Sequence, residues 1–307
     1  MILYRQADTP HGRPSAVALG CFDGIHRGHE AVIRRVVSAG KDGLMPAVCT
    51  FENNTMKTLG GESAPEIMTF SDKTRTLWSL GVEGIFLENF KKIRALTPEE
   101  FVRDILCKKY RAARVCCGFN YRFGAGSCGT VEELKALGET YGMAVTVCDA
   151  VREDDRPISS TWIREAILAG DMELVHRLLG RPFRFDFPVV RGSQRGRLMG
   201  TPTINQLFTY GFILPRFGVY ASSVELNGVR YHAVTNVGIR PTVQSEIPLS
   251  ETWIPDFFGD LYGQEVEVSL HHYLRPEQKF ESMEAMRQAI QQDGGRAKKV
   301  LEGLGEC

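Results

Sequence analysis

Two histidines three residues apart, beside two glycines, are the first feature of this chain able to do chemistry: Gly20-Cys21-Phe22-Asp23-Gly24-Ile25-His26-Arg27-Gly28-His29. The run follows a short apolar segment and leads into one of helical period, so it predicts a strand, a turn and a helix start. Free N–H groups and the positive dipole end make a helix N-terminus an anion site, and glycine lets the backbone approach a phosphate closely. His26 and His29 can donate hydrogen bonds there to a triphosphate and to the charge that builds up on it during transfer. The same pair also reads as capping or surface histidines. As a zinc site it is weak, because no third ligand lies close in sequence.

A second fragment, Ile158-Ser159-Ser160-Thr161-Trp162-Ile163-Arg164-Glu165, opens another helical stretch with three hydroxyls, and Arg164 follows one turn later. Hydroxyls and an arginine fork suit a departing pyrophosphate. An N-cap with an exposed arginine explains the fragment equally well when it is seen alone. The third is a glycine-punctuated basic loop, Arg191-Gly192-Ser193-Gln194-Arg195-Gly196-Arg197-Leu198-Met199-Gly200, leading into Thr201-Pro202-Thr203-Ile204-Asn205. Gly192, Gly196 and Gly200 let such a loop offer backbone N–H groups to phosphates. Thr203 and Asn205 offer a hydroxyl and an amide carbonyl as hard oxygen ligands for Mg²⁺. A solvated turn is the alternative.

These fragments need a frame. From residue 15 to about 150, β-branched apolar runs at 16–21, 47–51, 84–87, 114–118 and 144–148 alternate with helical stretches at 29–39, 71–80, 98–110 and 131–141. That alternation is the pattern of a parallel sheet covered by helices. Thr97-Pro98-Glu99-Glu100 sets an N-cap, a first-turn proline and two acids at one helix start. A further helix spans 161–179. Gly180-Arg181-Pro182-Phe183 then stops it, and a domain boundary between 181 and 182 follows. Beyond it the period becomes two, at 219–226, 229–237 and 265–270, with Asn227-Gly228 as a hairpin turn. Residues 281–301 return to helical spacing. The second domain is therefore mainly antiparallel β with a terminal helix.

With 307 residues, two domains are expected, at ~100–200 residues each. Lys plus Arg number 37 and Asp plus Glu 37, so no overall positive potential draws the chain to nucleic acid. No run approaches the roughly 20 apolar residues that span a bilayer, and the N-terminus lacks the pattern of a signal peptide. A cytoplasmic protein without membrane or nucleic-acid partners is expected. Eight cysteines form no Cys-x-x-Cys pair and read as reduced, mostly core thiols.

Together the Gly20 to His29 run, Gly118-Phe119-Asn120-Tyr121-Arg122-Phe123-Gly124, and the 158–164 fragment with Leu178-Leu179-Gly180-Arg181-Pro182 resemble the N-terminal half of the bacterial bifunctional riboflavin kinase/FAD synthetases. The second half resembles the kinase half of that family. It carries the basic loop with Pro202-Thr203-Ile204-Asn205, then Gly218-Val219-Tyr220-Ala221 and Asn236-Val237-Gly238-Ile239-Arg240-Pro241-Thr242. Glu251-Thr252, Gly259-Asp260-Leu261-Tyr262-Gly263 and Leu274-Arg275-Pro276-Glu277-Gln278-Lys279-Phe280 complete the series.

The resemblance implies an α/β chain: a Rossmann-like nucleotidylyltransferase domain with a parallel sheet at 1–181, then a six-stranded antiparallel β-barrel kinase domain with a terminal helix at 182–307. It implies riboflavin, FMN and ATP as substrates, with Mg²⁺. Gly20, Phe22, Asp23, Gly24, Gly28, His26 and His29 would hold ATP phosphates, and Ser159, Ser160, Thr161 and Arg164 would clasp the triphosphate. Asn120 would lie at the nucleotide or flavin side. In the kinase, Thr203 and Asn205 would bind the metal with ATP, Glu251 would be the base, and Arg275 would lie on the flavin side. An ordinary glutamate, with a pKa of ~4.3, is ionised at neutral pH and suits that task.

The chain departs from the family pattern in three places. The family's Phe-Asp-Pro-His-Pro is Phe51-Glu52-Asn53-Asn54-Thr55 here, Thr201 stands where Phe is preferred, and Arg191 where His is frequent. The first departure leaves an alternative open, a riboflavin kinase whose adenylyltransferase half is weak or inactive.

Overall fold

The computed structural model describes residues 2–5, 12–51, 64–192, 200–241 and 246–305. By packing, the chain separates into two compact units, Met1–Glu66 with Lys73–Ser159, and Ile67–Asp72 with Ser160–Cys307.

The first unit is a six-stranded, wholly parallel sheet in the order β1-β4-β3-β2-β5-β6. Its strands are β1 (Ile2–Tyr4), β2 (Ser15–Leu19), β3 (Met45–Phe51), β4 (Gly84–Glu88), β5 (Ala112–Gly118) and β6 (Ala144–Cys148). Helices α1 (Arg27–Ser38), α2 (Phe70–Ser79), α3 (Pro98–Glu100) and α4 (Val131–Thr140) alternate with them. β2, β3 and β4 are almost wholly buried because helices cover both faces, which is why they read as continuous apolar runs. Two features were not legible. Strand β1 is only three residues long and pairs with β4 at an edge. The stretch after α3 is a π-helix, Phe101–Lys109, ending in an i to i−5 bond from Tyr110 N–H to the Ile105 carbonyl. The Thr97 capping box is formed.

From β2 the order runs through β3 and β4 to β1 on one side, and through β5 to β6 on the other. The sheet thus reverses direction between β2 and β5. In doubly wound sheets, ligands bind outside the carboxyl ends of the strands at such a switch point. The loop of residues 20–26 leaves β2 there, and the turn with Asn120 leaves β5.

In the second unit the expected single helix over 161–179 is two, α5 (Ser160–Ala169) and α6 (Met172–Leu179). Gly170 lies at φ 80° and Asp171 caps α6 by accepting from the Leu174 N–H at 2.9 Å. The barrel strands are β9 (Phe183–Phe185), β10 (Val189–Val190), β11 (Thr203–Leu207), β12 (Gly218–Leu226), β13 (Val229–Pro241), β14 (Glu246–Trp253) and β15 (Val268–Arg275). A small two-stranded ribbon, β7 (Arg152–Glu153) with β8 (Arg156–Pro157), precedes them in the chain and belongs to the first unit. The strand expected at 265–270 begins at Val268 instead; Glu265 makes only an isolated bridge, to Pro188.

The antiparallel order is β10-β11-β14-β13-β12-β15-β9, seven strands rather than the expected six. The difference is one of counting, for β9 and β10 are two halves of one extended segment. β9 pairs with β15, Val189 bonds to Gln264, and β10 pairs with β11, so the two ends of the sheet meet on residues 183–190 and the sheet curls back on itself. Asn227 at φ 53° and Gly228 at φ 77° form the foreseen β12–β13 hairpin turn. The terminal helix α7 (Met283–Gly303) packs Ala297 and Val300 onto Val219, Ala221, Val234 and Trp253. On the opposite face of the same strands a ladder of buried hydroxyls runs from Ser222 through Thr235 to Thr252, at 2.7 and 2.9 Å. Among the described residues no helix is long and apolar enough to cross a membrane.

Candidate functional site

In the first unit His26 is the N-cap of α1. Its Nδ1 accepts the His29 N–H at 3.2 Å, which leaves the ring's own N–H on Nε2. The two imidazoles stack with centroids 3.6 Å apart and planes 16° from parallel, and His29 meets the Phe22 ring edge-on at 5.2 Å. The stack depends on Gly28, where a Cβ would fall 3.1 Å from the His26 ring. His26 is 6% exposed, while Asp23, Gly28 and His29 are half-buried. Capping and chemistry are therefore compatible: Nδ1 caps the helix and the opposite edge of the ring remains a donor. Among the described residues no cluster of three His, Cys, Asp or Glu could hold a metal.

Across the switch point Asn120 is exposed in the turn closed by Tyr121 N–H to the Gly118 carbonyl at 3.1 Å. Burial pushes the Tyr121 hydroxyl well above the ordinary phenol range, so it remains a neutral group. Beneath, Glu88 pairs with Lys109 and accepts from the Tyr110 hydroxyl at 3.0 Å, and that hydroxyl lies 3.3 Å from the Cys49 thiol. Residues 52–55 lie outside the described residues.

Helix α5 begins at Ser160, with Thr161 exposed and Arg164 half-buried, while Trp162, Ile163, Ala166 and Ile167 form its buried face. The hydroxyl-rich start and the arginine thus lie off the packed face, as a ligand clasp requires. By packing, the residues from Ser160 onward group with the second unit.

In the barrel one transverse row of Cα partners carries most of the expected kinase residues. Asn205 on β11 faces Glu251 on β14, Glu251 faces Asn236 on β13, Asn236 faces Val219 on β12, and Val219 faces Arg275 on β15. Thr203, two residues before Asn205, shares its face. The face is the one that α7 covers at Val219 and Val234. Asn205 is 5% exposed, and its Oδ1 has no hydrogen-bond partner among the described residues. A Cβ on Gly192 would fall 2.7 Å from that same oxygen, so the first glycine of the basic loop lies directly against the asparagine. A buried, unsatisfied amide oxygen beside a half-buried threonine hydroxyl fits a hard cation such as Mg²⁺. Thr201 likewise buries its hydroxyl with no partner among the described residues. Gly196 lies outside the described residues, and Gly200 is exposed at φ 71°.

Arg275 is not free in the barrel mouth. Its guanidinium grips Asp293 of α7, with Nη2 2.7 Å and Nε 3.0 Å from Oδ2. Asn236 and Glu277 were quoted only within motifs; the structure joins them, Asn236 Nδ2 donating to Glu277 Oε1 at 3.1 Å. Beside β11 a small cleft is lined by Pro202, Thr203, Thr252, Phe257, Asp260 and Tyr262, among others.

A loop with two histidines at the switch point of a parallel sheet, joined to a barrel with a carboxylate between two amides, is an architecture suited to a phosphate-transferring enzyme. Comparison with known proteins narrows this. A family model described as FAD synthetase matches residues 8–162, and one described as riboflavin kinase matches 179–301. The bifunctional riboflavin kinase/FMN adenylyltransferase of Pseudomonas fluorescens is 34% identical over 292 residues, 94% of each chain. That of Bacillus subtilis strain 168 is 32% identical, covering 94% of this chain and 93% of its own. A solved structure described as a macrolide-efflux protein from Streptococcus pneumoniae superposes with a TM-score of 0.87 at 32% identity, over 97% of this chain and 99% of that one. The chain belongs to the bifunctional riboflavin kinase/FMN adenylyltransferase family.

Proposed function

We propose that the chain makes FAD from riboflavin in two ATP-dependent steps. Residues 182–307 phosphorylate riboflavin to FMN, and residues 1–181 adenylylate FMN with release of pyrophosphate. The observation that carries the kinase assignment is the row that sets Glu251 between Asn205 and Asn236 on one face of the barrel. Glu251 accepts the proton of the ribityl 5′-hydroxyl as that oxygen bonds to the γ-phosphorus and the bond to the leaving ADP breaks. Asn205 and Thr203 would hold Mg²⁺ with the ATP phosphates; the ion neutralises charge on the transferring group. Arg275, fixed by Asp293, stands on the flavin side.

In the adenylyl step an FMN phosphate oxygen attacks the α-phosphorus of ATP and pyrophosphate leaves. The nucleophile is already anionic, so no base is needed, and positioning with charge stabilisation carries the rate. His26 and His29 supply donors at the helix start, Gly20, Phe22, Asp23, Gly24 and Gly28 shape the phosphate loop, and Ser159, Ser160, Thr161 and Arg164 receive the pyrophosphate. Asn120 lies on the acceptor side. The proposed compartment is the cytoplasm.

The test is incubation of the full chain with riboflavin, ATP and Mg²⁺, with FMN and FAD followed by chromatography. FMN should appear first and FAD after it. Glu251→Gln should lower FMN formation by about 10²–10⁴-fold while FAD still forms from supplied FMN, and His29→Ala should do the reverse. FMN accumulating without FAD would favour the second reading, raised by Glu52-Asn53-Asn54-Thr55, of a kinase with an inactive first half.

A further inference from the structure

The loop that leaves β2 holds two non-glycine residues at positive φ, Phe22 at 50° and Ile25 at 39°, with Gly24 between them at 83°. Such a backbone persists only where its surroundings over-determine it. Part of the restraint is apolar, since Phe22 and Ile25 are each 1% exposed. The rest converges on one atom. The carbonyl oxygen of Cys21 accepts from Thr50 Oγ1 at 2.9 Å and from Lys73 Nζ at 3.2 Å. Thr50 is itself 1% exposed on β3, and Lys73 stands on α2, so two elements outside the loop fix one peptide of it.

The electrostatic consequence concerns what the loop presents to an anion. A carbonyl oxygen is the negative end of its peptide dipole, and one turned toward a triphosphate would repel it. The two donors hold the Cys21 oxygen toward β3 and α2, so that it is engaged there and does not turn toward an anion taken by the loop's N–H groups. The lysine also sets a positive charge one hydrogen bond from the loop backbone.

We infer that Thr50 and Lys73 are positioning residues of the adenylyl-transfer site, acting through the Cys21 carbonyl to hold the phosphate loop in its anion-receiving form. This rests on the reading of residues 20–29 as the triphosphate site. Neither residue belongs to the His-x-Gly-His run, and neither needs to touch ATP.

The experiment is steady-state FAD formation from FMN and ATP by the full chain, with riboflavin phosphorylation measured on the same preparations. Thr50→Val removes the hydroxyl at nearly the same shape, and Lys73→Met removes the ammonium from a partly exposed position. Each should raise the KM for ATP about 3- to 10-fold, the scale of one lost hydrogen bond, while the KM for FMN and the kinase rate hold. Thr50→Ser and Lys73→Arg should recover most of the loss, which general destabilisation of the sheet would not predict. Should Thr50→Val fail to fold, Lys73→Met carries the test alone. An unchanged ATP KM in the removing variants overturns the clamp. A wild-type chain that makes FMN but no FAD overturns the reading of the loop and the clamp with it.

Discussion

Arg275 and Asp293 meet as an ion pair between the end of β15 and the middle of α7, with the Asp293 carboxylate 3% and the Arg275 side chain 17% exposed. Removing one partner of such a pair strands the other away from water. Asp293→Ala should therefore cost about 3–5 kcal/mol of barrel stability, read as a lowered denaturant midpoint. The freed guanidinium should also raise the KM for riboflavin while that for ATP holds.

The unit that contains the barrel includes α5 and α6. The Arg216 N–H donates to the Ile167 carbonyl at 3.3 Å, the Arg216 guanidinium lies 4.5 Å from the Tyr273 ring centroid, and Glu173 pairs with His272. A fragment of residues 183–307 keeps every proposed kinase residue yet loses these contacts. It should unfold at a lower denaturant concentration than a fragment of 160–307. Equal midpoints would show that the helices add nothing to the barrel. Both fragments lack Asp72, which bonds Arg184 at 2.5 Å, so both should fall below the full chain.

At Gly192 even one methyl has no room, because a Cβ would fall 2.6 to 2.8 Å from three atoms of the Asn205 amide. Gly192→Ala should displace that amide and cut kinase activity at least tenfold, with a higher Mg²⁺ requirement and FAD formation from FMN unaffected. Titrating Mg²⁺ in the kinase assay checks it.

Burial pushes the Cys49 and Cys117 thiols up to about 12 and the Cys116 thiol up to about 11, from an ordinary 9.0. A raised pKa favours the protonated fold, so this stability is complete below pH 9 and is lost as pH rises from about 9 toward 12. Thermal midpoints should fall over that window, less steeply in Cys49→Ala. Among the described cysteines Cys21 and Cys128 are exposed, so alkylation at pH 8 followed by mass spectrometry should label those two first and Cys49, Cys116 and Cys117 only after unfolding.

How far the sequence carried the reading depends on the range of the forces involved. Strands β2 to β6 and the hairpin at Asn227-Gly228 were legible because their signals are local: apolar runs, caps and a turn dipeptide. The break at Gly170 was overlooked because the apolar period of Trp162, Ile163, Ala166 and Ile167 resumes in Met172, Val175, Leu178 and Leu179. Strand β1 was hidden because three residues carry no period. The histidine pair and the Thr203 and Asn205 pair stood out by spacing. Asn236 did not, because its place opposite Glu251 depends on strand register across residues 241–246. The Asp293 partner of Arg275 and the two donors on Cys21 were out of reach because each contact joins two different elements, and no periodicity within either records it.

Residues 183–190, which join the two ends of the curled sheet, pair with residues 263–270 about eighty positions later. On a ribosome making ~5–20 residues per second, the first barrel segment must wait several seconds or more for its partner to emerge. Its Phe183, Phe185 and Phe187 side chains, buried in the finished sheet, have Phe208 and Phe212 to pack against in the meantime. The first sheet faces at least as long a wait, since its central strand β2 pairs with β5 about a hundred positions later, so neither sheet can close until most of its own unit has left the ribosome.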